Sequence, residues 1–157
     1  MRGNGVMISK PVLIKELSRI AGRRNVITKR KSMERFCRGY RSGSGTALAV
    51  VRPGSLLEQW YVLKACIEAD VIVIMQASNT GLTEGSTPSG SYDRDVIILS
   101  TTRINGIQLL ANGEQIIGFS GATLFELEKL LAPLGRQPHS VIGSSCIGAS
   151  IVGGVCN

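Results

Sequence analysis

The stretch Val71-Ile-Val-Ile-Met-Gln-Ala-Ser-Asn-Thr-Gly-Leu-Thr-Glu-Gly-Ser-Thr-Pro88 joins an unbroken apolar run to a small-residue, hydroxyl- and glycine-rich segment. The run Val71–Met75 is short and β-branched, so it reads as a strand covered on both faces, the pattern of a central strand in a parallel sheet. Ligands of open parallel sheets gather at the carboxyl ends of the strands, and the segment from Ala77 to Pro88 begins there. Small side chains let backbone amides approach an anion, glycine permits positive φ, and Ser and Thr hydroxyls add donors, a combination that suits a pyrophosphate. No Gly-Lys-Ser/Thr follows, which excludes a P-loop, and the Gly-x-Gly-x-x-Gly dinucleotide spacing is absent. On residues alone the segment reads either as a phosphate nest or as a plain surface loop.

Working outward, Ala47-Leu-Ala-Val-Val51, closed by Pro53-Gly54, is a buried strand. Ser55 with Glu58 makes a capping box that opens a helix to about Glu68, with Leu57, Tyr61, Lys64 and Ile67 on one stripe and Leu56, Trp60 and Leu63 on another. Strand, helix and strand make a βαβ unit. Further strands are expected at Val96–Ser100 and at Glu114–Phe119. A second capping box, Thr123 with Glu126, opens a helix to about Leu131 that ends at Pro133 and Gly135. The uncharged tail Gln137–Asn157, broken by Gly143, Gly148, Gly153 and Gly154, reads as buried loop and strand rather than a membrane span. Upstream, Ser9 and Pro11 mark the start of an amphipathic helix carrying Leu13, Ile14, Leu17 and Ile20 before Gly22. A second helix from about Thr28 to Arg38 buries Met33 and Phe36 and stops at Gly39, ahead of the loop Arg41-Ser-Gly-Ser-Gly45. The fold class is α/β (α+β): two N-terminal helices and a small parallel sheet, divided into a basic helical segment 1–43 and a ligand-binding domain 44–157.

With 157 residues, 43% of them hydrophobic, the chain can bury a core, and only 18% charged residues with 19 glycines argues against disorder. No secretory signal pattern opens the sequence, so the expected address is cytoplasmic. The four cysteines form no Cys-x-x-Cys pair and His139 is the only histidine, so no metal site or disulfide framework is expected; the cysteines read as core residues and His139 as structural. Charge is uneven: residues 1–43 hold twelve Lys/Arg and two acids, a balance of +10, while the rest of the chain stands at −3. That segment is either a patch for anionic lipid, nucleic acid or a phosphate-bearing ligand, or the solvated face of its helices. Phe36 and Tyr40 among the bases are too few to argue for a single-strand binder. Asp93 and Asp95 qualify as catalytic bases by residue type only, so the catalytic residue is unassigned. Glu84 is expected to point away from any phosphate, which it would repel.

Four segments carry a resemblance: Gln76–Pro88, Ser91-Tyr-Asp-Arg-Asp95, Pro133-Leu-Gly-Arg-Gln-Pro-His-Ser140 and Val141-Ile-Gly-Ser-Ser-Cys-Ile-Gly-Ala-Ser150. Together they resemble, from about Lys15 onward, the amino-terminal part of the quinone-dependent D-lactate dehydrogenases, FAD flavoproteins of the vanillyl-alcohol oxidase superfamily. The resemblance implies the FAD-binding domain of that superfamily, with Ala77, Ser78, Asn79, Thr80, Gly81, Gly85, Ser86, Gly143 and Ser150 holding the cofactor. Ser78 stands where the family has Ala, a change that adds a hydroxyl without bulk. Tethered members commonly use a histidine in this loop; Thr80-Gly-Leu-Thr83 has none, so the FAD is expected to be non-covalent. D-lactate and a quinone are the implied substrates, with peripheral association to the inner face of the cell membrane. Family members continue well past the equivalent of Asn157, so the chain resembles a domain incomplete at its C-terminus. On its own it is expected to bind FAD weakly, to turn over no lactate and to self-associate through its C-terminal region. The alternatives are a non-catalytic FAD- or nucleotide-binding module and, less favoured, a nucleic-acid binder.

Overall fold

The structure, a computed structural model, describes residues 8–139 and 145–156. Its main body is a four-stranded sheet between helical layers. The strands are β1 (Val26–Ile27), β2 (Ala49–Val51), β3 (Ile72–Gln76) and β4 (Val96–Ser100), in the order β1-β2-β4-β3. Strands β2 and β3 run parallel to β4, and β1 is an antiparallel edge. Alternation sorts the side chains onto two faces. Ala49, Val51, Ile97 and Leu99 meet Leu13, Leu17 and Ala21 of α1 (Lys10–Ala21) and Val62, Ala65 and Cys66 of α3 (Leu56–Glu68). Val50 and Ile98 meet Met33 and Cys37 of α2 (Arg30–Cys37) on the other.

The order of strands corrects one expectation. The run beginning at Val71 forms an edge strand, only partly covered, whereas β4 is buried along all its length. An apolar run states that a strand is covered; it does not state which strand inserts beside it, and here β4 enters between β2 and β3 from later in the chain. The two stripes expected on α3 are corrected as well. Leu57, Tyr61 and Ile67 are exposed, as are Leu56 and Trp60, and the buried stripe is Val62, Ala65 and Cys66. Small residues face the core here because α1 packs across α3. Burial pushes the Cys66 thiol up to about 12 and raises that of Cys37, so both stay protonated core residues.

The caps behave unequally. Thr123 and Glu126 form the reciprocal box at the start of α4 (Leu124–Leu131). At α3, Ser55 Oγ accepts from the Glu58 N–H, but the Glu58 carboxylate takes the N–H of Gly54 at 2.7 Å, one residue early. Ser9 stands at the cap position of α1 in extended backbone without a side-chain cap bond. On α2 the second buried residue is Cys37, with Phe36 half-buried under the Arg35 guanidinium.

A second layer packs beside the sheet. Strand β5 (Ile107–Leu110), which the sequence reading missed, pairs antiparallel with β6 (Gln115–Gly118), so the strand expected near Glu114 belongs to a separate hairpin. Ile107, Leu109 and Ile116 of this hairpin cover Leu124, Leu127 and Leu131 of α4 and Ile151 of α5 (Ile151–Val155). Where a strand was expected in the tail, the described residues instead form a single turn at Ser145–Ile147 and α5, joined by a short irregular stretch; residues 140–144 lie outside the described residues. No helix among the described residues is long and apolar enough to cross a membrane. At the centre of the sheet, Ile98→Val removes one fully buried methylene and is expected to cost about 1 kcal/mol, read as a shift in urea midpoint at constant slope.

Candidate functional site

The chain leaves β3 at Gln76, and β4 ends beside it, with Gln76 in register with Ser100 and the Thr101 N–H donating to the Gln76 carbonyl at 2.9 Å. Both carboxyl ends therefore open onto one place, where a cleft of about 400 Å³ lies. One wall is the loop: Ala77, Ser78, Asn79, Thr80, Gly81 and Ser86. The floor is Met75, Gln76 and Thr101, and the far wall is Ser120, Ala149, Ser150, Val152 and Gly153 from the second layer. Ser150 is brought there by a β-bridge to Thr123, flanked by the bonds Leu124 N–H to Ala149 O at 3.0 Å and Ile151 N–H to Ala122 O at 2.8 Å.

Seven of the nine residues singled out in the sequence thus line one cleft. Gly85 lies in the same loop off the lining, and Gly143 falls outside the described residues. Thr101, Ser120 and Gly153 were missed. Thr101 and Ser120 could have been flagged as hydroxyls at strand and turn ends, but which ends converge is set by the strand order.

The loop is braced by its own polar side chains. Gln76, 2% exposed, donates through Nε2 to the Phe36 carbonyl at 2.9 Å and to the Ser86 carbonyl at 2.7 Å. Asn79 sits at φ 55°, a left-handed position that Asn tolerates; its Nδ2 donates to the Arg38 carbonyl at 2.8 Å. Its Oδ1 accepts from the Ser86 hydroxyl at 2.8 Å and more weakly from Thr87. These amides are therefore occupied in shaping the loop. Glu84, at φ 62°, is tied outward: the hydroxyls of Ser42 and Ser89 hold its carboxyl below the usual glutamate range. That tie is complete above the ordinary glutamate pKa and weakens as pH falls through the lowered value.

The glycines separate into two kinds. A Cβ on Gly45 would overlap the Pro88 carbonyl, and one on Gly121 the Thr101 carbonyl, so those glycines serve close backbone packing. A Cβ on Gly81 would meet nothing within 4 Å, and one on Gly85 only the Thr83 hydroxyl at 3.9 Å, with neither residue in the left-handed region. The fold by itself does not call for glycine at either place. Among the described residues the cleft lining also carries no Asp, Glu, Lys or Arg. An anion there would be met by backbone amides and hydroxyls.

The sequence profile of the FAD binding domain family matches residues 47–157. The chain belongs to that family. The chain is 59% identical over 145 residues, 92% of its length, to the quinone-dependent D-lactate dehydrogenase of Escherichia coli (strain K12), of which it covers 25%. The enzyme of the same name from Haemophilus influenzae is likewise 59% identical, with 26% covered. The chain therefore spans about a quarter of the length of these curated relatives. Among solved structures, p-cresol methylhydroxylase with substrate bound superposes with a TM-score of 0.75 at 17% identity, over 91% of this chain and 28% of that one. This likeness is one of fold. FAD is the cofactor of the domain, and the cleft suits it: among the described residues its lining is neutral, its loop has two glycines that the fold does not require, and a buried hydroxyl, Thr101 Oγ1, has no partner.

Proposed function

We propose that the chain is the FAD-binding portion of a flavin-dependent D-lactate dehydrogenase, which oxidises D-lactate to pyruvate and transfers the electrons to a quinone. The observation that carries this reading is the braced, glycine-lined loop at the joint carboxyl ends of β3 and β4, in a chain so similar to enzymes of that name. Bound FAD supplies the two-electron acceptor for the 2-hydroxy acid. The residues of this chain bind and orient. Backbone amides of residues 77–81 and 85–86 cradle the pyrophosphate, Ser150 completes the site from the second layer, and Gly143 is a further cofactor-binding residue. Residues 44–157 form the FAD-binding domain proper, and the basic segment 1–43 supplies α1, α2 and the edge strand β1 that pack on its sheet.

Anaerobic addition of D-lactate to the flavin-loaded full-length protein is expected to bleach the oxidised-flavin absorbance, and a quinone to restore it. Flavin that keeps its colour under D-lactate would leave a non-catalytic FAD-binding module. The flavin is held without a covalent bond, since the loop offers no histidine. Acid precipitation is expected to leave a white pellet and a yellow supernatant.

The exposed bases of the first segment, among them Arg23, Arg24, Lys29 and Arg30, suit an anionic lipid surface on the inner face of the membrane. We also expect the 157-residue chain alone to bind FAD weakly and to self-associate through exposed apolar residues such as Val155, 74% exposed.

A further inference from the structure

We propose that Thr101 is a further cofactor-binding residue, its hydroxyl donating a hydrogen bond to an oxygen of the FAD seated in the cleft. This rests on the reading of the cleft as the FAD cradle. Thr101 lies at the carboxyl end of β4, on the cleft floor, and is 3% exposed. Its peptide is fully engaged: the N–H donates to the Gln76 carbonyl at 2.9 Å and the carbonyl accepts from the Ile104 N–H at 2.8 Å. The hydroxyl alone has no partner among the described residues.

A buried hydroxyl without a partner costs stability, and a valine of the same shape would pack there without that cost. Nearby hydroxyls show what structural use looks like. Ser100 and Thr102 pair with each other at 3.1 Å. The position of Thr101 is also fixed, because the backbone of Gly121 lies so close that a Cβ there would strike the Thr101 carbonyl. Rotation about χ1 would exchange the hydroxyl with the methyl on the same residue and turn the oxygen toward an incoming acceptor. Among the described residues the lining carries no cation, so a cofactor oxygen would be met by neutral donors, of which the Thr101 hydroxyl is the buried one at the end of β4.

The test compares Thr101→Val and Thr101→Ser in the full-length protein, with Gly81→Val as reference. FAD affinity is read by flavin fluorescence and the thermal midpoint is measured without flavin. Valine is expected to weaken FAD binding about tenfold while the flavin-free midpoint stays level or rises, and serine to keep binding within about twofold. The opposite signs separate a ligand contact from a packing role. The assignment is overturned if valine binds FAD as well as the parent, if serine fails to preserve binding, or if the flavin-free midpoint falls together with affinity. If Gly81→Val abolishes binding while Thr101→Val does not, the cradle stands and Thr101 is excluded; if neither matters, the cradle reading fails too.

Discussion

Gly81→Val is expected to abolish FAD binding, raising the Kd by more than about a hundredfold, while the flavin-free protein melts where it did before. The expectation comes from the asymmetry between what the fold needs at this position and what a ligand needs. A side chain at residue 81 would project into open space, and the backbone there lies outside the left-handed region that strains side chains. Neither a steric clash nor a left-handed backbone therefore opposes a side chain there. The added isopropyl group would instead stand on the cleft wall where an anion must come within hydrogen-bond distance of backbone amides. Titration with FAD, beside a thermal melt of the flavin-free form, reads both halves. Retained affinity would remove the loop from the cofactor site, and a collapsed melt would show the glycine to be structural.

The second large effect falls on Gln76. Gln76→Leu keeps the volume but leaves the carbonyls of Phe36 and Ser86 without their donor in a site where Gln76 itself is 2% exposed. Losing two such bonds is expected to cost about 3 kcal/mol in urea unfolding, and to weaken FAD binding about thirtyfold as the loop loses its shape. Gln76→Glu is a sharper probe, because an ionised carboxylate cannot donate to either carbonyl. It should be at least as damaging at neutral pH. A Leu variant that melts and binds like the parent would mean that Asn79 alone suffices to brace the loop.

Much of this was legible before any coordinates. The capping box at Thr123 and Glu126, the strand at Val96–Ser100 and the loop after Gln76 are local signals, carried by residues a few positions apart, and each was found where it was expected. What was not legible depends on distant parts of the chain. The edge position of β3 follows from insertion of β4, and the buried stripe of α3 follows from α1 crossing it. Hydrophobicity misled there, because Leu57, Tyr61 and Ile67 are more apolar than the Ala65 that packs inward. Strand β5 was missed because Ile107-Gln-Leu-Leu110 is short and alternates poorly. At the site the loop was readable from composition. The floor and the far wall were not, since Thr101 and Ser120 enter the cleft only through the meeting of two layers.

The bracing of the loop has a thermodynamic consequence. Ala77 to Pro88 is a twelve-residue connection, and fixing a backbone costs roughly 1–2 kcal/mol of conformational entropy per residue. Left loose, such a segment would have to surrender that freedom at the moment a ligand arrived, and affinity would fall accordingly. Here Gln76 and Asn79 pin it to the carbonyls of Phe36 and Arg38, at the end of a helix forty residues earlier in the chain. The freedom is lost when the protein folds, driven by the same collapse that seats α2 against Val50 and Ile98. The cradle is thus preorganised, and the helix that looks like a mere cover of the sheet acts as the anchor that keeps it so.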